Sequence, residues 1–210
     1  MLEYRIQNAI PSDKESTPAI ILIHGYGSHA NDLFCFAPYL PNNHTIIAIQ
    51  APLAIGPNSY AWYPLKMDAS GEVTSELEAA WGAVQLIVET IHELIRIHKL
   101  DPKDLSLFGF SQGAILSWAI AYHHSHLVRR IVALSGVVHE SVNASQAPNF
   151  IAYASHGIND QVIPISKPRN SIAPLSKKYD AINYHEYNDG HNVSQENFNQ
   201  LIKWLKKTNL

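Results

Sequence analysis

Gly109-Phe110-Ser111-Gln112-Gly113 places a serine between two glycines, where a strand-like apolar run, LSLFGF, gives way to an alanine-rich segment, AILSWAIAY. A tight turn would account for the glycines. The pattern also fits a nucleophile elbow, in which the serine stands on a strained strand-to-helix turn and its hydroxyl clears the backbone. Side chains at the flanking positions would collide with neighbouring backbone there. The helix that follows would aim its first amide groups at a developing negative charge.

A serine hydroxyl is a poor nucleophile at neutral pH and needs a base, itself oriented by an acid. In the elbow arrangement the chain order is Ser, then Asp or Glu, then His. His185 and His191 are the last two of twelve histidines. His185 falls inside the strand-like INYHEY, which suits a wall position. His191, in NDGHNVS, sits on a turn between the last strand and the last helix and is the better base. For the acid, Asp160 follows the strand-like FIAYAS in SHGINDQVIP. Glu140 is the alternative, Asp180 precedes a strand and so faces the wrong end of a sheet, and Asp189 is too close to His191 in the chain.

Acyl chemistry through an oxyanion needs two further donors. The Gln112 amide, just after the serine, is one. The other comes from the loop after AIILIH, HGYGSHAND, where Gly25 and Gly27 let the backbone approach a substrate and make the Tyr26 amide the second donor. His24 anchors that loop rather than moving protons, and Asn31 or Asp32 reads as the cap of a helix over DLFCFAPYL.

These groups need a frame. Apolar runs of strand length recur at 19–24, 45–50, 105–110, 131–136, 150–155 and 182–187, with LEYRI near the start as an edge strand. Most are apolar throughout, as expected of strands covered on both faces. Between them lie helical periodicities: Leu77 to about His98, opened by a Ser75/Glu78 capping box; 112–124; and an amphipathic helix carrying Phe198, Leu201, Ile202 and Leu205, capped by Ser194. Alternating strands and helices predict a single α/β domain with a mostly parallel, doubly wound sheet flanked by helices. Residues 52–72, PLAIGPNSYAWYPLKMDASGE, show turn residues and aromatics but no period, and read as a substrate-side loop.

Four blocks stand in order: IHGYGSHANDL, GFSQGAILS, HGINDQVIP and GHNVSQENFNQLIKWL. Together with AWYPL they resemble the phospholipase/carboxylesterase family of α/β hydrolases, which includes the acyl-protein thioesterases, over roughly residues 18–206. The resemblance implies Ser111, Asp160 and His191 as nucleophile, acid and base, and Tyr26 and Gln112 as oxyanion donors. It also implies Trp62 near the acyl-binding surface and Val162 lining the acyl channel. Three prolines depart from the family pattern. Pro64 stands where many relatives carry an acidic residue, and Pro168 and Pro174 interrupt the helix expected after QVIPIS, predicting a kink or a shortened element.

Hydrolysis of carboxylic esters, and of thioesters, with short to medium acyl chains is therefore expected, through an acyl-enzyme and with no metal or organic cofactor. Trp62, Tyr63, Tyr60 and Met67 either offer a shallow apolar surface for the acyl chain or pack the loop against the sheet. Lysophospholipase and protein S-deacylase activities are the alternatives. A non-catalytic ligand-binding protein on the same fold is a rival from another class, disfavoured by the presence of all three triad residues. A net charge of -3 gives no footprint for nucleic acid. His123, His124 and His126 in HHSH lack an accompanying carboxylate or cysteine and read as a solvated helix end, where imidazolium would suit the dipole. Cys35 is the single cysteine, which excludes an intrachain disulfide framework. No run approaches the roughly 20 apolar residues of a spanning helix, and the N-terminal stretch lacks a signal-peptide core. A cytoplasmic enzyme without integral membrane association is expected, and apolar loop residues allow a homodimer face.

Overall fold

The apolar runs pair into one seven-stranded sheet. The computed structural model describes residues 1–10, 15–67 and 73–208, with the backbone alone at 67, 73 and 74. The strands are β1 (Tyr4–Gln7), β2 (Thr17–Ile23), β3 (Thr45–Ile49), β8 (Leu100–Phe110), β9 (Arg130–Leu134), β10 (Ile151–Gly157) and β11 (Ile182–Tyr187). Among the described residues, four further short strands, β4 (Leu53–Gly56), β5 (Ser59–Ala61), β6 (Leu65–Met67) and β7 (Val73–Ser75), pair outside it. The sheet order is β1-β3-β2-β8-β9-β10-β11. Only β1 runs antiparallel, against β3, and the other neighbours are parallel. This is the doubly wound, mostly parallel α/β-hydrolase sheet expected, with LEYRI supplying the edge strand.

Burial on both faces explains the unbroken apolar runs. Along β2, Ile21 and Ile23 point to one face and Ile20 and Leu22 to the other. The first face packs on α2 (Leu77–His98) through Val84, Ile87, Ile91 and Leu94, and on α3 (Gln112–His123) through Leu116 and Trp118. The second packs on α1 (Ala30–Phe34) through Leu33, and on α6 (Gln195–Lys207) through Leu201, Trp204 and Leu205. Fully burying each large aliphatic side chain contributes about 1.5–3 kcal/mol, so both layers are needed to hold the sheet.

Several local expectations change. The Ser75/Glu78 capping box does not form: the helix N-cap is Glu76, without a side-chain cap bond, because Ser75 is taken up in strand pairing with Leu65. The expected loop at 52–72 contains an antiparallel hairpin, β4 with β5, and the strand β6, which pairs antiparallel with β7 just past the end of that stretch. Asn58, at φ 50°, makes the first hairpin's turn, a left-handed conformation that asparagine tolerates. Residues 68–72 and the Met67 side chain lie outside the described residues.

Neither Asn31 nor Asp32 caps α1. Its N-cap is His29, and it stops after five residues, followed by a 3-10 turn (Ala37–Tyr39) containing Pro38. Asp32 instead accepts a hydrogen bond from the Ser28 hydroxyl at 2.5 Å. Proline does shorten the helix after QVIPIS. It divides into α4 (Ser166–Ser171) and α5 (Ala173–Lys178), with Pro174 in the first turn of the second. Ser194 caps α6 as expected, accepting from the Asn197 amide at 3.3 Å.

Candidate active site

Ser111 occupies the junction between β8 and α3 at φ 53°, ψ -116°. A non-glycine residue there stores strain of about 1–3 kcal/mol and persists only where its surroundings over-determine it. The Ser111 amide donates to the Leu134 carbonyl at 2.9 Å, and the Ser111 carbonyl accepts from Ala114 at 2.9 Å and Ile115 at 3.1 Å. The glycines make the junction sterically possible. A Cβ on Gly113 would lie 1.9 Å from the Ile23 carbonyl oxygen, and one on Gly109 would lie 2.4 Å from that of Gly113. Helix α3 therefore sits hard against β2 and β8, and the serine is the residue pushed outward.

His191 reaches Ser111 from the loop between β11 and α6. Its Nε2 lies 2.9 Å from Ser111 Oγ and its Nδ1 lies 2.7 Å from Asp160 Oδ2. A carboxylate oxygen accepts, so Nδ1 carries the proton and Nε2 is free to accept from the hydroxyl. Asp160 follows β10 with its side chain fully buried, whereas that of His191 is 18% exposed. Val162 and Ile163 each donate a backbone N–H to Asp160 Oδ1 at 2.8 Å. The structure thus brings together the serine, histidine and aspartate singled out in the sequence, from the C-terminal ends of three strands. It leaves the rivals apart. Glu140 and Asp180 are exposed, and His185 stacks on Tyr153 at 5.1 Å within β11, burial pushing its pKa down. Asp189 turns its Oδ2 into a buried position without a partner among the described residues.

The loop after β2 is braced from beneath. His24 Nδ1 donates to the Gly25 carbonyl at 2.8 Å, while Nε2 accepts from the Ala51 amide at 3.1 Å and the Gln50 side chain at 3.2 Å. Burial pushes the His24 pKa down to about 4, so the ring is neutral in the tautomer those bonds require. The Trp62 indole N–H donates to the His24 carbonyl at 2.8 Å and its ring lies 5.3 Å from the imidazole. The Gln112 side chain accepts from the Trp62 amide at 2.9 Å and donates to the Tyr63 carbonyl at 3.0 Å. Gly27, at φ 78°, then turns the loop and donates to Tyr60 at 2.8 Å. Among the described residues, the Tyr26 and Gln112 backbone N–H groups have no protein acceptor.

Trp62 and Tyr63 are buried, 2% and 4% exposed, and so pack the segment against the sheet instead of offering an open apolar face. Tyr60 is half-buried, whereas Val162 is 64% exposed beside the acid. A mainly apolar pocket lined by Tyr63, Trp81, Val84, Ile115 and Val142 opens along α3, with Ile115 one turn beyond Ser111. Among the described residues, no group of three or more histidines, cysteines or acids is placed to hold a metal. At HHSH, His123 packs edge-on against Trp81 at 4.5 Å. His123 and His126 are exposed, as expected of a solvated helix end, while His124 is half-buried, and burial, then the nearby histidines, lower its pKa.

Sequence reasoning missed three contributors. Gly157 lets the His191 loop close onto β10, since a Cβ there would meet the Gly190 carbonyl oxygen at 2.1 Å. A glycine ending a buried strand three residues before an acid was the available signal. His156, beside it, touches Asp160, and the Gln112 side chain ties the serine helix to Trp62 and Tyr63. The Gln112 contacts span 50 and 49 positions and leave no trace in local spacing.

The sequence model of the family described as Phospholipase/Carboxylesterase matches residues 5–209. The acyl-protein thioesterase 1 of Kluyveromyces lactis is 22% identical, the match covering 95% of this chain and 97% of that one. Among solved structures, esterase PE8 is 25% identical with a TM-score of 0.81, covering 98% of both chains. The Bacillus cereus carboxylesterase, 16% identical, shares the fold with a TM-score of 0.82 over 99% of this chain and 94% of its own. This chain belongs to the phospholipase/carboxylesterase family of α/β hydrolases, and its enzyme class is that of a carboxylesterase/phospholipase-type hydrolase. Among the described residues, no helix is long and apolar enough to cross a membrane.

Proposed function

We propose that this protein hydrolyses small carboxylic esters, and thioesters of similar size, by way of an acyl-enzyme on Ser111. The observation that carries the reading is the hydrogen-bonded series from Ser111 Oγ through His191 to Asp160, at 2.9 and 2.7 Å. His191 takes the serine proton as Oγ attacks the acyl carbonyl, and Asp160 orients the imidazole and stabilises the cation formed. The Tyr26 and Gln112 amides hold the tetrahedral oxyanion, each contributing a rate factor of about 10²–10³. His191 then protonates the departing alcohol or thiol. It next activates the water that releases the acid and restores Ser111. No step calls for a metal or an organic cofactor.

The acyl chain is assigned to the pocket beside α3. Ile115, in its lining, lies about 6 Å along the helix from the serine. Val162, exposed beside Asp160, offers further apolar surface to the substrate on the acid's side of the site. Thioesters fall within the range because a thiolate leaves more readily than an alkoxide from the same intermediate. The Kluyveromyces lactis relative, by its name a thioesterase, supports that extension. A cytoplasmic location fits a chain with a single cysteine.

The test is turnover of a p-nitrophenyl ester series together with fluorophosphonate labelling. Ser111→Ala is expected to lower kcat by about 10⁶ and to abolish labelling. A labelled, active Ser111→Ala enzyme would place the nucleophile elsewhere.

A further inference from the structure

His156 is a buried histidine in β10 that the reaction described above does not use. Its side chain is fully buried, as is that of Asp160, and its Nε2 lies 2.7 Å from the Ile163 carbonyl oxygen and 3.1 Å from Asp160 Oδ2. Both oxygens accept, so Nε2 carries a proton and is shared between them. The opposite nitrogen, Nδ1, is buried without a partner among the described residues. An unsatisfied buried ring nitrogen is a cost to the fold, and an aliphatic side chain would avoid it. The compensation must lie on the Nε2 side.

That side faces the carboxylate on which His191 depends. Asp160 Oδ1 is pinned by the Val162 and Ile163 amides, whereas Oδ2 meets, among the described residues, the two imidazoles alone, His191 at 2.7 Å and His156 at 3.1 Å. The His156 ring also spans the turn that carries Asp160: it belongs to the strand entering the turn and bonds to a carbonyl leaving it. We infer that His156 is a positioning residue for hydrolysis. Its Nε2–H bridges Ile163 and Asp160 and keeps Oδ2 aligned with His191 Nδ1 as the imidazole gains and loses its proton. A carboxylate held from one oxygen alone could turn toward the cation as it forms. A misplacement of about 1 Å at that point costs on the order of 10²-fold in rate. The inference rests on the catalytic reading of Asp160.

A double-mutant cycle tests it, with kcat and KM measured on p-nitrophenyl acetate below each variant's unfolding midpoint. His156→Gln places an amide N–H where Nε2 stood, and His156→Asn places one where Nδ1 stood. The expected result is a loss of about 10- to 100-fold in kcat for His156→Asn, little change in KM, and recovery of most of the rate in His156→Gln. In an Asp160→Asn background the His156→Asn change should cost nothing further, because the group it acts through is already gone. An equal loss in both backgrounds, or His156→Asn within twofold of wild type, overturns the inference. A fully active Asp160→Asn enzyme overturns the catalytic reading instead. One readout needs no variant: the nitrogen-15 spectrum of the wild-type histidines must show His156 carrying its proton on Nε2. A ring protonated on Nδ1 alone refutes the bridge, whatever the variants do.

Discussion

Replacing His24 with asparagine should flatten the acid limb of the protein's stability curve. Burial lowers the His24 pKa from 6.5 to about 4, while the unfolded chain keeps the ordinary value. The unfolded state therefore binds the extra proton first as pH falls. His24 costs nothing at neutral pH and destabilises progressively from about pH 6.5 down to about pH 4. With 1.36 kcal/mol per pKa unit, the full effect is about 3 kcal/mol, and about 2.5 kcal/mol has been lost by about pH 4.5. His24→Asn removes this titration. It also leaves the Ala51 amide, now bonded to Nε2 at 3.1 Å, without its acceptor, an offset of about 1–3 kcal/mol at every pH. Urea unfolding of both proteins between about pH 4.5 and 7.5 separates the two terms. The offset appears at neutral pH and shrinks toward acid as the wild type loses its advantage. Taking the difference cancels every other group that titrates alike in both proteins. Parallel curves would mean that His24 is not held neutral, and the bracing of the Tyr26 loop through its unprotonated Nε2 would fall with it.

His191→Ala should lower kcat on p-nitrophenyl acetate as severely as Ser111→Ala, whereas His185→Ala, which removes a ring stacked on Tyr153, should leave it within a few-fold; the reverse ranking in steady-state kinetics would move the base. Gly113→Ala should fail to accumulate as folded protein, because its Cβ would stand 1.9 Å from the Ile23 carbonyl and only backbone displacement relieves that. Normal circular dichroism and a melting temperature within a few degrees of wild type would contradict the close approach of α3 to β2.

The sheet was readable because parallel strands covered on both faces leave unbroken apolar runs, as at β2, β3 and β9. The meeting of Ser111, Asp160 and His191 was readable for a related reason: each residue follows a strand, and parallel strands deliver their following loops to one edge of the sheet. What escaped reading depended on contacts remote in the chain. Ser75 has the composition of a cap but is claimed by pairing with Leu65, a tertiary choice that local propensity does not encode. Trp62 looked as fit for a surface as for a core until its indole N–H was seen to satisfy the His24 carbonyl. The break at Ile172, by contrast, was announced by Pro174, since a missing amide hydrogen acts locally.

The hydroxyl–imidazole contact joins positions 80 residues apart, and β9 and β10 lie between the strands that present them. No fragment of the chain that omits either strand can assemble the pair. Turnover is thus a gauge of how intact the sheet is from β8 to β11. During denaturation, catalysis should vanish together with the sheet's backbone signal, leaving no partly melted form that still works.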